Sequence, residues 1–243
     1  MALPAAEALP PDLRRISPHL RVADVDGLTM VMDLRTSAFY LLDDEASSMW
    51  KELRAADGSV IAAKKALGHG DESSRRLAGM FDDFVASCES RGFLLAHHPS
   101  PACGVPRRRW VRRSHRSSLL TVRAWLSMVR TDIALRTKGF AAIYERLGHT
   151  ACVGPQSAGG VELAVAAFLR AENFYVRRRA PNDCLPRSLC LYAYLGSLGV
   201  PVVHRIGARR FPVLQCHAWV EYEGAPILDH HVKVSDYTLI ASI

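Results

Sequence analysis

The chain has 243 residues, 49% hydrophobic and 23% charged, a composition that excludes disorder and leaves room for one domain or two modest ones. Its net charge of +7 is uneven: residues 1–98 carry a net −4 and residues 99–243 a net +11, which argues for two modules. The basic second module suits an anionic surface or an acidic peptide. The opening residues lack the apolar core of a secretory signal, and no run reaches about 18 uncharged apolar residues. No stable membrane insertion and a cytoplasmic location are therefore expected. Cys88, Cys103, Cys152, Cys184, Cys190 and Cys216 are then expected to be thiols rather than disulfides.

Residues 1–19, with four prolines, read as a loose lead into the fold. Three short strands follow at about 20–24, 28–34 and 38–42, with Asp26-Gly27 as a tight hairpin signal. Asp44 is the expected cap of a helix carrying Ala46, Met49, Trp50 and Leu53 at helical spacing. Two more helices are expected. Ser59 caps the first, with Ile61, Ala62, Lys65 and Ala66 along it and Gly68 at its end. Asp71 starts the second, which has Leu77, Met80, Phe81, Phe84 and Val85 on one stripe and ends before Gly92. Residues 1–96 thus form a small domain of three strands and three helices.

The stretch "MVMDLRTSAFYLLDDEASSMWKEL" resembles the small winged-helix domains that recognise the leader of ribosomally made peptide precursors, of the kind known from pyrroloquinoline quinone biosynthesis. The resemblance implies that a precursor leader adds as a strand to the edge of the third strand and packs beside the last helix. Candidate leader-binding residues are Val31, Leu34, Phe39, Tyr40 and Leu41. The competing reading is an ordinary α+β fold whose aromatic residues are all core. Winged helices also bind DNA, but this module is the acidic one, so no nucleic-acid partner is expected.

Residues 97–117, with three prolines and six arginines, read as a linker. Beyond it, an apolar helix at about 118–135 carries Leu119, Leu120, Val122, Trp125, Leu126, Val129 and Ile133. Trp125 and Met128 are expected to pack the second domain, 118–243. A short helical piece at 139–147, the loop "GPQSAGG" and a helix at about 160–175 with Val161, Leu163, Val165, Ala166, Phe168 and Leu169 come next.

The chemistry concentrates in residues 182–231. Pro181 pushes the preceding residue toward extended backbone, and Asn182 or Asp183 can cap a new helix with Cys184 in its first turn. A thiol there sees the positive end of the helix dipole, which favours thiolate, and free N–H groups in the same turn can stabilise an oxyanion. Cys190, deeper in the same helix, reads as core. Two strands follow, and alternation places His217, Trp219 and Glu221 on one face of the second, opposite Cys216, Ala218 and Val220. A return strand ends at Asp229, close enough to orient the His217 imidazole. Cys184, His217 and Asp229 therefore form a candidate nucleophile, base and orienting acid. A metal site from Cys184, Cys216, His217, Asp229, His230 and His231 is disfavoured, because Cys216 and His217 point to opposite strand faces and no CxxC spacing exists.

The pieces "DCLPRSLCLYAYLGSLGV", "HRIGARR", "CHAWVEYEGAPILD" and "VSDYTLI" resemble the transglutaminase-like peptidase of lasso peptide biosynthesis, the B2 protein, from about residue 105 to 243. With the N-terminal module in the same chain, the whole is similar to the fused lasso peptide B proteins. The fold implied is α+β: a winged-helix-like leader-recognition domain followed by a transglutaminase-like or papain-like domain. The resemblance assigns the family's cysteine, histidine and acid to Cys184, His217 and Asp229. It implies a thiol peptidase that cuts between leader and core, freeing the core amine for an asparagine-synthetase-like macrocyclase. ATP would be used by that partner; the chain has no phosphate loop and no bound cofactor is expected. Arg205, Arg209 and Arg210 are candidates for acidic or C-terminal groups, with solubility as the alternative. Two other functions remain open: a leader-binding chaperone with an inert hydrolase domain, and an amide-transferring enzyme using the same triad.

Overall fold

A computed structural model describes residues 12–96, 117–149, 158–176, 184–210, 213–229 and 232–243. The chain is α+β and divides into two compact units, the first holding the elements up to residue 95 and the second those from residue 117. Apart from Ser117, the expected linker lies outside the described residues, as do Pro181, Asn182, Asp183, His230 and His231.

In the first unit, β2 (Leu20–Val25), β3 (Leu28–Asp33) and β4 (Ala38–Leu41) form an antiparallel sheet in the order β2-β3-β4. Asp26 and Gly27, at φ 51° and 87°, supply the two left-handed residues that a two-residue hairpin of this twist requires. Three helices follow: α1 (Asp44–Ala55), α2 (Val60–Gly68) and α3 (Glu72–Ser90). The cap of α1 is Asp43 and not Asp44: Asp43 is extended, and its carboxylate accepts from the Ala46 N–H at 2.8 Å. Ser59 and Asp71 cap α2 and α3 in the same way.

Leu20, Val31, Met49, Trp50, Leu53, Ala63, Leu67, Leu77, Phe81 and Val85 build the core of this unit. Each fully buried Leu, Val or Phe contributes about 1.5–3 kcal/mol. The buried face of α2 is Ala63 and Leu67, while Ile61 is 67% exposed. A nine-residue helix that is apolar almost all round does not specify its inner face by periodicity. On α3, Met80 is likewise outside the buried stripe. The lead into the fold is also more ordered than expected from residue 12 on. Leu13 bridges Ser59, β1 (Arg15–Ile16) pairs with β5 (Leu94–Leu95), and the Ser17 N–H donates to the Phe93 carbonyl at 2.9 Å.

The second unit begins with α4 (Ser117–Gly148), which is interrupted at Gly139, φ 77° and ψ 167°, so that two helical pieces stand where two were expected. After α5 (Ala158–Val176) and α6 (Cys184–Ser197) comes an antiparallel sheet of β6 (Val202–Arg209), β7 (Gln215–Tyr222), β8 (Ala225–Ile227) and β9 (Thr238–Ser242) in the order β8-β7-β6-β9. Its core takes Ala124 and Met128 from α4, Val161, Ala164, Phe168 and Ala171 from α5, and Leu191, Tyr194 and Leu195 from α6. Trp125 is not part of it; at 42% exposure it shares an outward face with Leu119, Val122 and Ile133. Small residues explain the difference. Ala124, Ala164, Ala167 and Ala171 let the helices approach closely, so the larger Trp125 and Leu163 turn outward.

Candidate active site

Helix α6 is held by Leu185, Ser188, Leu189, Leu191, Tyr192 and Leu195, all buried, and this anchoring fixes where its first residue, Cys184, stands. Cys184 is half-buried at the first position of the helix. On β7, His217 is the register partner of Gly207 on β6. Strand β8 then pairs with β7 through Val220 and Ile227. Leu228 turns the chain at φ 68°, a left-handed conformation costing about 1–2 kcal/mol in a non-glycine residue. Asp229 follows directly and returns to His217.

Asp229 Oδ1 lies 3.3 Å from His217 Nε2, with the two side chains 11% and 16% exposed. At that separation, and with Nε2 lacking a geometrically aligned hydrogen bond, the contact is an ion pair rather than a short directed bond. Nε2 toward the acid leaves Nδ1 for the thiol. The His217 pKa is raised to about 9, first by Asp229 and then by Cys184, against the opposing effect of burial. At neutral pH the ring is therefore an imidazolium. Cys184 and Asp229 also line one small cavity with Arg187, Leu191, Ala218 and Leu228. Arg187 is fixed there by donating to both carboxylate oxygens of Glu172, at 2.6 and 3.1 Å.

The other thiols are of a different kind. Burial pushes Cys88 up to about 11 and Cys190 up to about 12. Cys216 is pushed up to about 11, by burial and then by the charge of neighbouring Cys184. Among the described residues, no group of three or more His, Cys, Asp or Glu is placed to hold a metal ion. A larger open cleft between α4 and α6, lined by Arg130, Ile143, Leu147 and Tyr192, touches none of the three reactive residues.

Of the arginines singled out in the sequence, Arg205 donates to Glu221 Oε2 at 3.1 Å. Arg209 donates to Gln215 and stacks on Tyr237 at 5.1 Å. Tyr237, 5.8 Å from the His217 ring, stands in the segment "VSDYTLI" without being a site candidate by sequence; it is placed by β9, which it directly precedes. The five leader-binding candidates divide. Val31 and Leu34 are fully buried, and Val31 is core, whereas Phe39, Tyr40 and Leu41 are half-buried on β4. No strand pairs with the outer edge of β4 among the described residues.

Comparison with known proteins gives one match. A family model described as Transglutaminase-like superfamily covers residues 125–242. The match falls within the second unit, whose α+β fold is consistent with a transglutaminase-like domain and compatible with cysteine peptidase chemistry. No curated protein and no solved structure matches the chain. No helix among the described residues is long and apolar enough to cross a membrane.

Proposed function

We propose that the protein is the leader peptidase of lasso peptide biosynthesis, with Cys184, His217 and Asp229 as its catalytic residues. The observation that carries this reading is the His217 ring set between Asp229, at 3.3 Å, and Cys184 at the start of α6. The Cys184 thiolate attacks the carbonyl carbon at the end of the leader. The His217 imidazolium gives its proton to the departing core amine, and the leader remains as a thioester on sulfur. Neutral His217 then takes a proton from water as its oxygen attacks the thioester. The thiolate leaves, the imidazolium is restored, and the leader is released as a carboxylic acid that loses its proton to solvent. Asp229 keeps the ring oriented and stabilises its charge.

Leader recognition falls to the first unit. The outer edge of β4 offers backbone groups for an added strand, with Phe39, Tyr40 and Leu41 beside it. Val31 and Leu34, being buried, shape that sheet rather than touch the peptide. Joining recognition and cleavage in one chain raises the effective concentration of the scissile bond. The partner that consumes the free core amine is the ATP-using macrocyclase, so the peptidase itself carries no cofactor.

The test is incubation of the purified chain with its precursor, followed by mass spectrometry. The reading requires two fragments, one bearing the hydrolysed leader carboxylate, and a C184A variant that still binds the leader but leaves the precursor intact. Cleavage that survives in C184A would overturn it. The transglutaminase-like match favours one second reading, in which an amine rather than water releases the thioester. A leader fragment whose new C-terminus carries an added amine would decide for that reading.

A further inference from the structure

Along the face of β7 that presents His217, Trp219 and Glu221 follow at alternate positions. The Trp219 ring lies nearly parallel to the imidazole, with 11° between planes and 6.0 Å between centroids. Its indole N–H donates to Glu221 Oε1 at 2.8 Å. Arg205, the register partner of Trp219 on β6, donates to Glu221 Oε2 at 3.1 Å. Trp219 is 3% exposed and the Glu221 side chain 15%. Even the room for the ring is built in: a Cβ on Gly207 would come within 3.0 Å of both the Trp219 ring and the Thr238 carbonyl.

A phenyl ring would fill this space without needing a carboxylate and a guanidinium beside it. Partly desolvating and ordering those two long side chains, 15% and 31% exposed, is unfavourable unless they fix a geometry that matters. What they fix is the plane of the indole, and the indole in turn bounds the imidazole. Tyr237 confines the same ring at a tilt of 49°. The charged and titratable groups facing His217 are then Asp229 beyond β8, Cys184 from α6 and Tyr237 ahead of β9. Arg209 reaches it only through the Tyr237 ring.

We propose that Trp219, clamped by Glu221 and Arg205, is a positioning residue that holds the His217 ring plane so that Nε2 meets Asp229 and Nδ1 meets the Cys184 thiol. The proposal rests on the peptidase reading only in taking Cys184 as the nucleophile. Parallel contact with an aromatic face also favours the imidazolium over the neutral ring. Trp219 touches no reacting atom, so its loss should act through the behaviour of His217.

The experiment follows alkylation of Cys184 by iodoacetamide from about pH 5 to about pH 10, read on the Cys184 peptide by mass spectrometry, with 15N NMR of His217 in parallel. Trp219→Phe removes no charge yet releases the clamp. It is expected to lower the upper, His217-dependent step by about half a pH unit or more, the size of a lost cation–π contact. The His217 nitrogens should show a mixed tautomer above that step where the parent shows one. Should Trp219→Phe fail to fold, Glu221→Gln, equal in volume, must give the same tautomer mixing. A purely structural role would lower the melting temperature and leave the step and the tautomer where the parent has them, and that result would overturn the proposal. Alkylation needs no peptide substrate, so failure here and failure of the peptidase reading are separate outcomes.

Discussion

Helix α6 presents two hydroxyl- or thiol-bearing residues to two histidines of the same sheet, and only one of the pairs is built to react. Ser188 Oγ lies 2.9 Å from His204 Nε2, a closer contact than the 3.3 Å between His217 and Asp229. Yet Ser188 also donates its proton to the Leu185 carbonyl at 3.1 Å. The hydroxyl is thus shared between a carbonyl and an imidazole whose Nδ1 meets no acid, so nothing stabilises a charge on His204. His204 is fully buried between the rings of Tyr144 and Tyr192, and burial pushes its pKa down to about 3. His217 has an acid on one side and a thiol on the other, and its pKa moves the opposite way, to about 9. Distance alone does not make a catalytic pair. An acid behind the histidine and a path to solvent do.

The sharpest way to break this contrast is to remove each first residue. Cys184→Ala should abolish precursor cleavage, a loss of at least about 10³-fold, because the covalent route is gone. Ser188→Ala, one turn along the same helix, should leave cleavage within a few-fold of the parent. Equal losses from both would show that the difference between the pairs is not chemical. The next largest effect belongs to the acid. Asp229→Asn makes His217 resemble His204 in lacking a carboxylate, and cleavage at neutral pH should fall on the order of 10²-fold. The alkaline limb of the rate profile should move down from about 9, because Asp229 is the first cause of that raised value.

How far the sequence foretold this depends on the scale of the cue. The helix start at Cys184 and the alternation that puts Trp219 and Glu221 on the His217 face are local patterns and stand where their rules place them. The hairpin at Asp26-Gly27 and the caps Ser59 and Asp71 are of the same kind. The return strand, by contrast, ends at Ile227, and the left-handed Leu228 leads on to Asp229. What periodicity could not reveal depends on the tertiary neighbour. Ile61 and Trp125 face outward because Leu67 and a run of alanines took the inner positions. Arg205, a candidate for acidic or C-terminal groups by sequence, is instead the register partner of Trp219 and donates to Glu221. Tyr237 reaches His217 only because β9 pairs with β6, a long-range pairing that no local pattern encodes.

The buried pair should matter for stability where it does not matter for cleavage. Ser188→Ala leaves the buried His204 Nε2 facing a cavity without its hydrogen-bond partner, a loss of about 1–3 kcal/mol. Urea unfolding would show this as a lower midpoint with an unchanged slope. A midpoint equal to the parent's would mean that His204 finds another acceptor.

The most diagnostic effect is the opposite pH dependence of the two histidines. His204 binds a proton in the unfolded chain below about 6.5 but in the folded one only near 3, so between those values the unfolded state holds more protons. Its contribution therefore weakens the fold as pH falls from about 6.5 toward 3. For His217 the folded state holds more protons between about 6.5 and 9. Its stabilisation is complete below about 6.5 and is lost as pH rises through 9. Each limb can be removed separately. His204→Phe, which keeps an aromatic side chain between Tyr144 and Tyr192, should flatten the acid limb of the difference curve and leave the alkaline limb untouched. Asp229→Asn should flatten the alkaline limb alone. Urea midpoints measured for parent and variants from about pH 4 to about pH 10 would check both, and a variant that altered the wrong limb would show that the two rings do not titrate independently.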